Sequence, residues 1–458
     1  LNISNIGHST TVAGNVNAGT STFQDNLTAA TTTISTGTGN FNTVSGATTS
    51  DLRFTDNGTA NLNNGLTGNV TTTADNKGTL NLVGSSNQTV TGPVGASGAS
   101  LAEVNAGANG STSTFANDVY ATNTNIGSGR VDFNTVSGIT NTNIIFTDNG
   151  TANLLNGLTG NIDFAGKDAT VNVSDGKGIL GSVQTLASNN TGIINYQGDG
   201  TISGNIGSSS HGIKELNINT ANQQNSGGPG LVIGYTALAR ELYADVVNLR
   251  NNATLTLKDN VNLINTGSDN ILITVDNTNT GTLTFEGTSN ITGEVGQSNK
   301  VLNTINAGAT GKTVTFDDMV YASTLKYSDD GKVVLNGDNS LIASEGMIGT
   351  VNFDNKAGTL AIGDDVNLTV GAGGTQFING NDAILEFDGS SIITGILGGN
   401  TAGNSTFEEI YAGADNKTVT FNDDVYALEK LLVSENGTVN LKGNLHSDLL
   451  FAKDGFVN

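Results

Sequence analysis

The chain has 458 residues, a net charge of −23 and no cysteine, with 62 glycines against only 2 prolines. The missing cysteine excludes disulfide staples, thiolate zinc sites and thiol catalysis. The acidity, with 18 scattered basic residues, opposes nucleic acid and anionic membranes, whose phosphates require clustered Lys and Arg.

The opening Leu1–Thr10 (LNISNIGHST) has neither the basic nor the apolar region of a signal peptide. Its Ile3–Gly7 (ISNIG) reads as the tail of a phrase met later, so the chain is expected to be a fragment of something longer. Ser21–Ala29 (STFQDNLTA) is a degenerate copy of another phrase described below. Then comes a long duplication: Phe41–Val70 matches Phe133–Ile162 at 22 of 30 positions, and both contain FTDNGTANL, at Phe54–Leu62 and Phe146–Leu154. Self-similarity at long period is the signature of a solenoid or an array.

A second phrase closes on glycine four times, at Gly78–Gly95 (GTLNLVGSSNQTVTGPVG), Gly192–Gly207, Gly281–Gly296 and Ala383–Gly398. With Gly7, these glycines mark modules of 88, 112, 89 and 102 residues, giving expected boundaries of 1–7, 8–95, 96–207, 208–296, 297–398 and 399–458. A third phrase follows each after a gap: Ser113–Ala121 (STFANDVYA), Val314–Ala322 (VTFDDMVYA) and Val419–Ala427 (VTFNDDVYA). Arg240–Arg250 (RELYADVVNLR) fills the same slot. Leu238, Leu242, Val246 and Leu249 fall at helical spacing there, but the Tyr-Ala alignment favours a strand.

Within modules a turn precedes a short strand. Asn57–Leu62 (NGTANL), Asn76–Leu82, Asn279–Phe285, Asn355–Ile362 and Asn436–Leu441 (NGTVNL) all follow this rule. Asn and Gly supply the positive φ of tight turns, and the alternation that follows puts apolar side chains on one strand face. The expected fold is all-β, a repeat-built right-handed parallel β-helix (solenoid) running through 1–458 as a single domain. Tandem β-sandwich modules are the alternative, although linkers between modules are missing and strand phrases cross every junction. No stretch reaches the roughly 18–20 apolar residues of a membrane-spanning helix, so this segment is not expected to insert directly in a bilayer.

The F-x-D-D-V-Y-A and FTDNGTANL phrases, in a Gly/Asn/Thr-rich, cysteine-free setting, resemble the rickettsial surface cell antigens, a group of large autotransporters that includes rickettsial outer-membrane proteins A and B. The resemblance implies a passenger region on the extracellular side of the outer membrane of a Gram-negative cell. It also implies adhesion to or invasion of host cells, with a host-cell surface protein as partner. The chain's end, Leu449–Asn458 (LLFAKDGFVN), shows no run of translocator-barrel strands, so the segment is expected to be passenger only. A self-assembling coat using lateral self-association, or a structural spacer, is the alternative; a β-helical polysaccharide-active enzyme is weaker.

The chemistry-bearing residues point away from catalysis. His8, His211 and His446 lack metal-ligand spacing, and Gly371–Gly374 (GAGG) reads as a turn, not a phosphate loop. Asp317–Asp318, Asp364–Asp365 and Asp423–Asp424 are adjacent pairs whose members face opposite sides of a strand. The first and last recur in successive modules, which reads as edge or turn structure. Tyr120, Tyr243, Tyr321, Tyr411 and Tyr426 can form an exposed contact stripe, but the repeated slot that four of them occupy places these in or against the core. The expectation is no enzyme, no cofactor, and no catalytic or metal residue.

Overall fold

The computed structural model describes residues 2–3, 15–16, 19–24, 26–43, 46–133, 138–221, 230–234, 240–337, 348–371, 374–399 and 405–458. These residues fall into two compact units, Leu1–Asn225 and Ser226–Asn458. Both are parallel β-solenoids, and together they make about 19 turns. The described residues contain strands and one short 3-10 turn, Ala108–Gly110, and no helix long and apolar enough to cross a membrane. The sandwich alternative falls, because every described strand ladder is parallel. Among the described residues, antiparallel bridges occur only at the small corners Ala96/Ala99, Ser208/His211 and Gln297/Lys300.

In the first unit the coil has three faces. Face one stacks Thr38–Phe41, Thr59–Leu62, Thr79–Leu82 and Leu101–Ala106 in register. Face two stacks Gln88–Val90, Thr112–Phe115, Arg130–Phe133, Thr151–Leu154, Thr170–Val173 and Thr191–Tyr196. Face three is carried by shorter runs, including Val70, Val94 and Val119, then Leu158–Thr159 against Lys177–Leu180. Long strands turn a corner: Val119–Ile126 pairs through Val119 and Tyr120 on face three. Its Asn123–Ile126 end pairs on face one, and the register breaks between the two parts.

Alternation builds the interior. Thr59–Leu62 (TANL) and Thr151–Leu154 (TANL) show the same pattern, with the alanine and leucine buried and the threonine and asparagine on the outer side. Inward aromatics stack on their equivalents in the next coil: Phe23 on Phe41 at 5.1 Å, Phe115 on Phe133 at 5.6 Å and Phe146 on Phe164 at 5.4 Å between ring centroids. Buried side chains of one coil are covered by those of its neighbours, as in other repeat proteins, where each unit needs the next to bury its apolar face.

The outer asparagines of these strands form two ladders. In the first, Asn61 donates to Asn40 at 2.7 Å, Asn81 to Asn61 at 2.7 Å, Asn105 to Asn81 at 2.7 Å and Asn125 to Asn105 at 2.8 Å. In the second, Asn153 donates to Asp132 at 2.5 Å, Asn172 to Asn153, Asn195 to Asn172 and Asn217 to Asn195 at 2.9 Å. An amide carries both a donor and an acceptor, so one residue type can repeat indefinitely along the stacking direction.

The duplicated phrase therefore contributes Asn61 to one ladder and Asn153 to another, on a different face. Its copies are not corresponding coils of a single column, as the repeat suggests. They lie four coils and one further face apart. The local wiring is nevertheless kept: Thr32 and Ser50 share a buried hydroxyl hydrogen bond of 2.9 Å, and their counterparts Thr124 and Thr142 share one of 3.0 Å.

The second unit is built the same way. One ladder joins Leu231–Ile233, Thr254–Leu257, Thr280–Phe285, Leu302–Ala307 and Ala322–Tyr327. Another joins Thr313–Phe316, Lys332–Leu335, Thr359–Ile362 and Ile384–Phe387. Arg240–Leu249 is a strand, as the Tyr-Ala alignment indicates; Ala237–Ala239 lie outside the described residues. Tyr327 and Phe353 stack in its interior at 4.6 Å.

Candidate functional site: an uncharged groove

The acidic pairs are structural. Asp317 accepts from the Asn290 side chain at 2.8 Å and from Thr292 at 3.2 Å. Asp318 accepts from the Gly293 amide at 2.7 Å and from Asn270. Asp423 accepts from the Gly395 amide at 2.8 Å and Asp424 from the Asn444 amide at 2.7 Å. The matching residues are thus Asp318 and Asp423, each holding a glycine amide of the preceding coil. Asp424 instead matches Asp118, which accepts from the Ile139 amide at 2.9 Å. The two pairs are offset by one position, which corrects their apparent equivalence in sequence.

Asp364 belongs to a third device. It accepts from the Ser390 amide at 2.7 Å and from Lys417, two coils on. Asp259 repeats it, accepting from the Thr288 amide at 2.8 Å and from Lys312 at 2.5 Å. The lysine and the amide together hold both carboxyls below their ordinary range. Asp365 is a turn residue at φ 60°. No group of three or more His, Asp or Glu among the described residues is arranged to hold a metal ion.

The histidines stay apart from any such group. His211 accompanies Ser210 at a corner of the first unit. His446, in the second unit, stacks on Tyr426 at 4.1 Å. His8, Gly7 and the centre of Gly371–Gly374 lie outside the described residues.

The five tyrosines lie against the core and none is fully exposed. Tyr120, Tyr411 and Tyr426 are half-buried on the outer surface, between the inward Val or Ile and Ala that flank them. Tyr243 and Tyr321 are more covered, at 8% and 9% exposure, but they are also outward in register. Glu409 bonds to the Tyr411 hydroxyl and, with burial, pushes it up to about 12. The fully buried tyrosines are Tyr196 and Tyr327, which lie outside the repeated slot.

The most site-like feature is a groove on face three of the first unit. Two adjoining hollows of about 310 and 230 Å³ meet at Thr159. Outward residues in register line it: Tyr120 pairs with Asn141, Asn141 with Thr159 and Thr159 with Leu180. Gly138, Gly157, Gly160 and Gly178 are among its lining residues. Gly160 must be glycine: its φ is 141°, and a Cβ would stand 2.1 Å from the Thr142 carbonyl oxygen. One charged side chain lines the hollows, Asp75, and Ser100 holds its carboxylate through both amide and hydroxyl at 2.8 and 2.9 Å. Sequence reasoning singled out Tyr120 but missed Asn141, Thr159 and Leu180; the signal was the cluster of glycines beside exposed Ile139 and Leu180.

Fold and groove define a long-repeat parallel β-solenoid whose polar side chains are spent mainly on joining coil to coil. Among curated proteins, the chain is similar to "Outer membrane protein A" of Rickettsia rickettsii, with 28% identity over 425 aligned residues. That match covers 74% of this chain and 18% of the relative, so the chain spans less than a fifth of that protein's length. It is consistent with the relationship to rickettsial surface antigens suggested by the repeated phrases. No protein-family model matches the chain. No solved structure matches it.

Proposed function

We propose that this chain is a segment of an autotransporter passenger, displayed on the outer face of a Gram-negative outer membrane, that contacts host cells without catalysing a reaction. The single observation carrying this reading is the similarity to a rickettsial outer membrane protein across 74% of the chain. The structure supports the non-catalytic part through its carboxylates. Asp259, Asp318, Asp364, Asp423 and Asp424 are engaged in holding backbone amides of neighbouring coils, which leaves them poorly placed as an acid–base pair. A coil-on-coil scaffold of this kind presents broad lateral faces, the surface an adhesin uses.

The test is binding of the purified, fluorescently labelled chain to cultured host cells. Saturable binding, competed by unlabelled chain, is the expected result. Binding that rises linearly with concentration and is not competed reduces the segment to a spacer.

A further inference from the structure

We infer that the groove on face three of the first unit is a binding site for an extended, uncharged oligosaccharide. The inference names a ligand class for the adhesive reading and in that sense rests on it, but its argument comes from the groove alone.

Four outward residues in consecutive coils, Tyr120, Asn141, Thr159 and Leu180, lie in one register line along the groove. Parallel strands repeat at about 4.8 Å, so these four positions span roughly 14 Å, suited to a chain-like ligand rather than a compact one. Their chemistry is mixed. A half-buried aromatic ring and an exposed leucine offer apolar contact, while an exposed amide and hydroxyl offer directional hydrogen bonds. The Asn141 side chain is exposed and makes no hydrogen bond to another of the described residues. A few oriented polar groups beside apolar ones can fix the position of a small ligand.

Charge narrows the ligand further. The chain carries −23, yet the only ionised group lining the groove is Asp75, already held by Ser100. Among the described residues there is no Lys or Arg in the lining to meet a sulfate, phosphate or carboxylate, and a cationic ligand would find stronger fields elsewhere on so acidic a surface. A peptide is disfavoured for a different reason. Peptides gain affinity on sheets by adding a strand to an open edge, whereas the strands beneath the groove already pair with neighbouring coils on both sides. A neutral sugar chain needs no open edge and no countercharge.

The experiment screens the purified chain against immobilised neutral oligomers of glucose, mannose, galactose and N-acetylglucosamine, beside sulfated and sialylated glycans and a lysine-rich peptide. Calorimetry on the best neutral binder follows, with Asn141→Ala, Leu180→Ala and Asn141→Asp variants, each checked for an unchanged circular dichroism melt. The expected result is binding of at least one neutral oligomer, weakened about tenfold or more by Asn141→Ala and by Asn141→Asp. Binding only of charged probes, neutral binding that all three variants leave unchanged, or no binding at all would overturn the inference. Cell binding that survives Asn141→Asp separates the two claims: adhesion then uses another face. Neutral-glycan binding without cell binding leaves the groove assigned and the adhesive reading wrong.

Discussion

Gly95 and Tyr120 lie against each other across neighbouring coils. The Tyr120 amide donates to the Val94 carbonyl at 2.7 Å, and a Cβ built on Gly95 would stand 2.3 Å from the Tyr120 carbonyl oxygen. The same contact recurs at Gly296 with Tyr321, at 2.5 Å, and at Gly398 with Tyr426, at 2.6 Å. The closing glycine of one repeated phrase and the tyrosine of the next are therefore two halves of one joint. This explains why the phrases travel together through modules of unequal length.

Replacing Gly95 with alanine tests that joint. At φ 70° a side chain is strained, and here it would also collide with backbone. Gly98, at φ 77° with open space around its missing Cβ, is the control. Gly98→Ala is expected to cost about 1–2 kcal/mol for the left-handed conformation alone. Gly95→Ala is expected to cost distinctly more, with amide hydrogen exchange rising at Val94, Tyr120 and their neighbours. Equal effects would show that the close approach is not there.

The asparagine ladder makes a directional prediction. Asn81 donates to Asn61 and accepts from Asn105, so Asn81→Ala strands one acceptor and one donor on half-buried side chains. The expected cost is about 1–2 kcal/mol. Because a solenoid opens locally, hydrogen exchange at coils around positions 61, 81 and 105 should report it before global denaturation does.

The buried hydroxyl pair of Thr124 and Thr142 predicts non-additive effects of single and double substitutions. Thr142 also donates to the Asn143 carbonyl at 3.2 Å, so Thr142→Val, which leaves the Thr124 hydroxyl without its acceptor, is expected to cost about 1–3 kcal/mol and Thr124→Val less, with the double change costing less than the two singles summed. A double-mutant cycle by urea denaturation measures the coupling. Additive losses would show that the two hydroxyls are not bonded.

The Asp259–Thr288–Lys312 staple and its repeat, Asp364–Ser390–Lys417, carry a pH dependence. Both carboxyls are held below their ordinary value of 3.8. A depressed carboxyl contributes stability that is fully present above its unfolded-state pKa and is lost as pH falls through the folded one. The contribution is therefore intact at neutral pH and disappears below about pH 4. Solvent screening limits each pair to about 1 kcal/mol at most. The double variant Asp259→Asn/Asp364→Asn should flatten the acid limb of a thermal-melt series between about pH 5 and 2 relative to the parent.

Much of the fold was legible in the sequence because its causes are local. Asn-Gly turns followed by alternation identify strands such as Thr59–Leu62 and Thr438–Leu441 as they are found. Period two also places Tyr120: in Val119–Tyr120–Ala121, valine and alanine face in and tyrosine faces out. What the sequence hid was the rotation of the duplicated segment from one face to another. Ladder steps vary between 19 and 24 residues, the longest where the Ala96/Ala99 corner is inserted. Corner lengths set how many faces a given separation crosses, and no local pattern reports them. The groove was hidden for the same reason, since Tyr120, Asn141, Thr159 and Leu180 become neighbours only through the register.

Cysteine cross-linking tests the stacking most directly, because the chain has no native cysteine to interfere. Neighbouring parallel strands bring paired Cα atoms to about 4.8 Å, within disulfide range. The register predicts rapid oxidation of the Asn105→Cys/Asn125→Cys pair and of the Asn153→Cys/Asn172→Cys pair, and none between Asn125→Cys and Asn153→Cys. Failure of the first two pairs, or efficient bridging of the third, would contradict a three-faced parallel solenoid in which the duplicated phrase occupies two different faces.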